Sequence, residues 1–282
     1  SIWDTSYKLI ANINAIIKNT ESNPDVLVGN YYRIVRGEAL ALRAYLHFDL
    51  FRLFGPAYDP NSTVKTIPYR TQFSLDVEPQ LTPLNFFERL EQDLHEADSL
   101  LADVDPVITY GVDGDPMDDF LKHRNLRMNY YAVQALAMRV YYTMGNDEKA
   151  LEYAKKIIAV QESHFPWIKP NRLTAAVPDR VFTSEVIFGL QNLQRNNLYT
   201  SLFDGSNLKL SSLLAPRTDC VKQIFENDQV DYRYSSALKN QVEISGTQYS
   251  IFNKYQGESS DSLCNQLIPM MRVSEAYLIA AE

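Results

Sequence analysis

Apolar side chains recur along the first half of the chain at the three- and four-residue spacing of a buried helix face. Trp3, Tyr7, Ile10, Ile13 and Ile17 form the first such stripe and predict a helix from the start of the chain. A second helix is predicted from Tyr31 to Phe54 and ended by Gly55-Pro56, because proline lacks an amide donor and disrupts a continuing helix. Leu40, Ala44, Phe48 and Phe51 mark one face of it. Leu42, Leu46, Leu50 and Leu53 mark another about 200° around, so both sides are expected to lie under neighbouring helices. Arg36 and Arg43, seven apart on one face, are expected to meet acidic groups of a partner helix.

A Pro-containing loop runs from Gly55 to Gln80, and Thr82-Pro83 then announces a third helix. Threonine caps the free amides and proline suits the first helical position. Phe86, Leu90, Leu94, Ala97 and Leu101 are its buried face, and Glu88, Glu91, Gln92, His95 and Asp98 its wet one. After an Asp-, Gly- and Pro-rich loop (Ala102 to Lys122), residues Asn129 to Gln161 read as helix, break at Gly145-Asn146, and helix. Small side chains at Ala135, Ala150 and Ala154 let that pair approach closely. The unit resembles a tetratricopeptide repeat, whose helix pair must stack on neighbours to bury its face. Gly37 to Gly55 and Arg272 to Glu282 share its texture. The fold class expected is mainly α, with tetratricopeptide-like antiparallel helix pairs in an α-α superhelix and an irregular, partly β insert.

From Phe165 helical periodicity fades into aromatic and polar residues punctuated by Gly and Pro. Val181-Phe182, Val186 to Phe188 and Tyr249 to Phe252 are strand candidates, and Asp219 to Phe225 a short helix. The organisation expected is a scaffold over 1–164, a variable ligand-binding insert over 165–268 and a returning scaffold helix over 269–282. The chain opens inside one amphipathic pattern and closes in another without a terminator. It is therefore expected to be a fragment of a longer protein.

Composition narrows the function. With 45% hydrophobic and 22% charged residues the chain is expected to fold, not to stay disordered. Lys and Arg number 27 against 35 Asp and Glu, net −8, and no basic cluster offsets that, so no nucleic acid is expected as partner. Cys220 and Cys264 have no metal-ligand spacing. No apolar run reaches the ~18 residues that a membrane helix needs. Motifs of metalloproteases, serine hydrolases, dinucleotide sites and P-loops are absent. The four histidines, His47, His95, His123 and His164, are scattered. A binding protein without cofactor is expected, not an enzyme. The enzymatic alternative is a sugar hydrolase, since the spacing of its two carboxylates is set in space and not in sequence.

Four segments carry a resemblance. Arg36-Gly37-Glu38-Ala39 continuing through Leu42-Arg43-Ala44 to Gly55 is similar to the "R-G-E-A-x-x-L-R-A…G" helix of the SusD/RagB family. Leu90 to Ala97 resembles its "I-x-x-D-L-x-x-A" helix, Asn129 to Tyr141 its central repeat, and Pro269 to Glu282 its "P-x-x-R-x-x-E-x-Y-L-x-x-A-E" helix. They occur in family order. The resemblance implies a lipid-anchored protein on the extracellular face of the outer membrane. It implies a SusC-like TonB-dependent transporter as partner and an oligosaccharide, or less often a peptide, as ligand. It also implies that the anchor segment and the carboxy-terminal end lie outside this sequence. A tetratricopeptide-type scaffold that binds another protein is the alternative from a different class.

Sugars are gripped by a flat apolar face against their C–H side and by planar groups on their hydroxyls. Trp167, between Pro166 and Pro170, is the first platform candidate, or else it pins the insert by burial. The amide run Gln191 to Tyr199 supplies Arg195, Asn196, Asn197 and Tyr199 as ligand-binding candidates, or else forms a solvated loop. Tyr249, with Phe252 and Tyr255, is a second platform or the core of a small sheet. Asp113, Asp115 and Asp118 are weak calcium candidates on a turn without EF-hand spacing; a solvated acidic loop is the alternative.

Overall fold

The computed structural model describes residues 1–112, 118–228, 230–238, 240–257 and 262–282. In chain order the helices are α1 (Ile2–Ser22), α2 (Tyr31–Phe54), α3 (Pro83–Leu101), α4 (Pro106–Tyr110), α5 (Tyr130–Thr143), α6 (Asp147–Ala159) and α7 (Gln161–His164). Then come α8 (Pro170–Leu173), β1 (Val186–Gln191), α9 (Arg195–Leu202), α10 (Thr218–Ile224) and α11 (Tyr232–Ala237). The chain finishes with β2 (Gln241–Ile244), β3 (Thr247–Ser250), β4 (Leu267–Arg272) and α12 (Val273–Ala281). It divides into two compact units, residues 1–165 with 271–282, and residues 166–270.

The first unit is helical, and each long helix packs on the next: α1 on α2, α2 on α3, α3 on α5, α5 on α6, and α6 on α12. Local chemistry sets the boundaries. Thr82 accepts from the Asn85 amide ahead of Pro83, Asn129 from Ala132 and Asn146 from Lys149, each filling an amide that the helix leaves open. Gly145 turns α5 into α6 at φ +70°, a conformation that glycine adopts without strain. Ala135, Ala150 and Ala154 are buried where the pair meets.

The motif residues lock these helices to one another. A Cβ on Gly37 would stand 2.8 Å from Leu101 Cγ, so glycine lets α2 and α3 approach. Arg43 donates to Asp93 from Nε and Nη2, at 2.7 and 2.6 Å, and Tyr69 donates to the same carboxylate at 2.6 Å. Arg36 meets Glu96 and Glu21. Glu38 accepts from Arg124 and Arg127, and Arg124 also donates twice to Asp105. Arg139 of α5 forks onto Glu275 of α12 at 2.6 and 2.5 Å. The buried pairs among these, Arg43–Asp93 and Arg124 with Glu38 and Asp105, repay desolvation only when each is fully hydrogen-bonded, which favours one register over others.

His47, fully buried, stacks on Tyr69 with ring centroids 3.8 Å apart. Its Nε2 accepts from the Arg70 amide at 2.9 Å, and its Nδ1 therefore donates to the Arg43 carbonyl, also at 2.9 Å. Burial holds its pKa down to about 3.

The second unit carries short elements. β1 pairs with β4, and β2 pairs with β3 as an antiparallel hairpin with Val242 opposite Tyr249. Ser245 and Gly246 both take positive φ, as the tight two-residue turn of a hairpin requires. Tyr199, Leu213 and Ile251 form a small core.

Three local expectations are corrected. Val181-Phe182 is not a strand, because Phe182 takes φ +60° and opens a tight turn into β1. Phe252 lies past the end of β3. On α2, Leu50 is buried but Leu42 and Leu46 are half-covered and Leu53 is 60% exposed, so the second stripe is not a fully covered face. Among the described residues no helix is long and apolar enough to cross a membrane.

Candidate functional site

Of the amide run, Gln191 ends β1 and Arg195 to Tyr199 open α9, whose helical period sorts the candidates. Arg195 and Tyr199, four apart, point inward, and Asn196 and Asn197 face solvent. Arg195 is 1% exposed, and its Nη1 donates to the carbonyls of Cys264 and Leu267 at 2.8 and 2.9 Å. Burial lowers its pKa. Its guanidinium thus ties α9 to the backbone that leads into β4. Tyr199 joins the small core and donates to Asn253 at 3.4 Å.

Asn196 has a different position. Its Oδ1 accepts from the Gly257 amide at 2.9 Å, which orients the side-chain NH2 as a fixed pair of donors. Beside α9, Phe203, Phe252 and Tyr255 cluster with ring centroids 5.2 to 6.4 Å apart. Tyr255 also packs against the core of Tyr199, Leu213 and Ile251. Tyr249 is half-buried in β3, with a bridge from its backbone to Arg217.

Trp167 keeps 46% of its surface exposed. The next residue is buried, and its amide donates to Glu185 at 3.0 Å, so the indole stands on a fixed backbone. The described geometry brings Asn196 and Tyr199 together with residues 253–257 and sets Arg195 on the carbonyls of Cys264 and Leu267. Trp167 offers an exposed indole and Asn196 an oriented amide, two kinds of group that a polyhydroxylated ligand uses.

Asp113 and Asp115 lie outside the described residues. Asp118 accepts from the Tyr31 hydroxyl and caps the Phe120 amide. Among the described residues no group of His, Cys, Asp and Glu is placed to hold a metal ion.

A further recess, in the helical unit, joins Ile17, Leu40, Arg36 and Arg43 to Phe73, which no helical spacing singles out. It lies against the loop at Thr71 to Phe73. The available signal was Phe73, Leu75 and Val77, apolar residues alternating in a loop with no helical period.

Residues 1–110 match the SusD-like family described as "Starch-binding associating with outer membrane". Solved structures share the fold. A SusD superfamily protein from Bacteroides thetaiotaomicron is 23% identical, with TM-score 0.73, over 99% of this chain and 60% of that one. A putative sugar binding protein from Bacteroides vulgatus is 24% identical, with TM-score 0.70, over 99% and 59%. A laminarin-binding SusD-like protein is 16% identical, with TM-score 0.61, over 100% and 66%. The chain therefore spans about 60% of the length of the first two structures. No curated protein matches it.

Proposed function

We propose that this chain, a SusD/RagB-family protein by the match of its first 110 residues and by its fold, binds glycans at the outer-membrane surface. The observation that carries the reading is that match, to a family described as starch-binding and outer-membrane-associated. The oligosaccharide docks on the second unit, with Trp167 as stacking platform and Asn196 and Asn197 as hydroxyl partners. Tyr249 serves as a second platform, and Arg195 and Tyr199 hold α9 in shape. Stacking uses the apolar face of the sugar and leaves its hydroxyls for the amides. The ligand is held and released unchanged.

The bound glycan passes to a SusC-like TonB-dependent transporter, and a lipid anchor holds the protein to the membrane. Exposed residues on a rigid scaffold suit such a capture role, because specificity varies in loops while the scaffold is kept. Purifying the full-length protein from outer membranes tests the assembly. A TonB-dependent transporter encoded beside it should co-purify. Solitary recovery, with no transporter at any salt concentration, would count against the handover.

A further inference from the structure

The helical unit holds an open cleft of about 440 Å³ between α1, α2, α3 and the loop at Thr71 to Phe73. Its floor is apolar, from Ile17 and Leu40, and its walls are polar. Arg36 stands in one wall with its side chain 11% exposed. Its Nε and Nη2 donate to Oε1 of Glu96 at 2.8 and 2.6 Å, and its Nη1 to Oε1 of Glu21 at 2.9 Å. A guanidinium has five N–H groups, so two remain. Each carboxylate shows contact through Oε1 only, and both side chains are about half exposed. The result is a fixed planar array of donors and acceptors at the mouth of a recess.

The opposite rim is braced from inside. Buried Asn14 donates to the carbonyls of Arg70 and Gln72 at 3.2 and 3.3 Å, and Arg43 donates to that of Thr71 at 3.1 Å. Arg70 in turn donates to the carbonyls of Ser74 and Asp76, both at 3.0 Å. On this pinned loop Phe73 is 53% exposed while lining the cleft. An aromatic face held in the open by buried polar groups is already ordered for a ligand, which spares the entropy of fixing it later.

We infer that this cleft is a second saccharide subsite, with the Phe73 ring against the C–H face of a neutral sugar. The exposed carboxylate oxygens of Glu21 and Glu96 accept from its vicinal hydroxyls, and the remaining Arg36 donors reach its oxygens. The inference takes its ligand class from the proposed function but concerns different residues on a different unit.

The test is a titration of the full isotope-labelled chain with maltotetraose and, separately, laminaritetraose, followed by NMR. The expected result is saturable shifts at Gln72, Phe73 and the Arg36 side chain. Phe73→Ala should weaken them about tenfold and Trp167→Ala should leave them unchanged. Glu96→Gln, tested alongside, should weaken them too, since it turns one of that residue's two acceptor oxygens into a donor. Silence at these residues with both sugars overturns the inference, as do shifts that survive Phe73→Ala. So does a cleft that responds only to tetralysine, because the carboxylates would then be a cation site. Shifts confined to residues 166–270 overturn the cleft and leave the proposed function standing. Shifts confined to the cleft support the inference and overturn the docking of the glycan on the second unit.

Discussion

Arg43 of α2 and Asp93 of α3 face each other through two parallel hydrogen bonds, Nε to Oδ2 at 2.7 Å and Nη2 to Oδ1 at 2.6 Å. Both side chains are nearly inaccessible, and the two residues come from two of the four segments that carried the family resemblance. The motif thus encodes a helix junction. Asp93→Ala leaves the Arg43 charge buried without its counter-ion and should cost ~3–5 kcal/mol of unfolding free energy. Arg43→Met combined with Asp93→Leu should recover part of it. Denaturant titration of the three variants measures both effects.

Gly37 makes the same junction sterically. Its Cβ would meet the side chain of Leu101 at 2.8 and 3.0 Å, and Leu101 is itself fully buried. Gly37→Ala should therefore cost about 1–3 kcal/mol by overpacking, even though alanine favours helix. Adding Leu101→Ala should return less than the sum of the two single losses. A double-mutant cycle on thermal unfolding reads that coupling.

Much of this scaffold was legible in the sequence. The stripes of α1, α3 and the α5–α6 pair are periodic, and the acidic partners expected for Arg36 and Arg43 are Glu96 and Asp93. Arg195 was not legible, because a charge in a run of amides reads as solvated. Its burial depends on carbonyls 69 and 72 residues away, and no local spacing reveals them. The Phe73 rim was missed for a related reason. The segment from Gly55 to Gln80 has no period, and its order comes from Asn14 and Arg43 on two helices.

His47 should give the protein an acid limb of its own. Its folded pKa, about 3, lies below the ordinary histidine value of 6.5, so the unfolded chain binds the proton more readily. Its contribution is fully present above pH 6.5. It is lost as pH falls toward 3, by at most ~1.4 kcal/mol per pH unit. NMR of the imidazoles should show one histidine that stays neutral at pH 5, with its proton on Nδ1. His47→Gln should remove that signal and flatten the stability curve between pH 6 and pH 4.

Trp167 and Arg195 should separate binding from architecture. Trp167→Ala should leave the melting temperature near that of the parent and weaken glycan binding by about 1–3 kcal/mol. Arg195→Met strands two buried carbonyls and should lower stability by ~1–3 kcal/mol. Paired melting and binding measurements check both. Unfolding of the Trp167 variant would make the indole a structural pin.

The claim that this chain is a glycan-capture protein meets its most direct test in calorimetric titration against a panel of oligosaccharides and peptides. Saturable binding of at least one oligosaccharide is expected, weakened by Trp167→Ala, with no reducing sugar released on prolonged incubation. Peptide binding with silence across the oligosaccharides, or release of reducing ends, would contradict it.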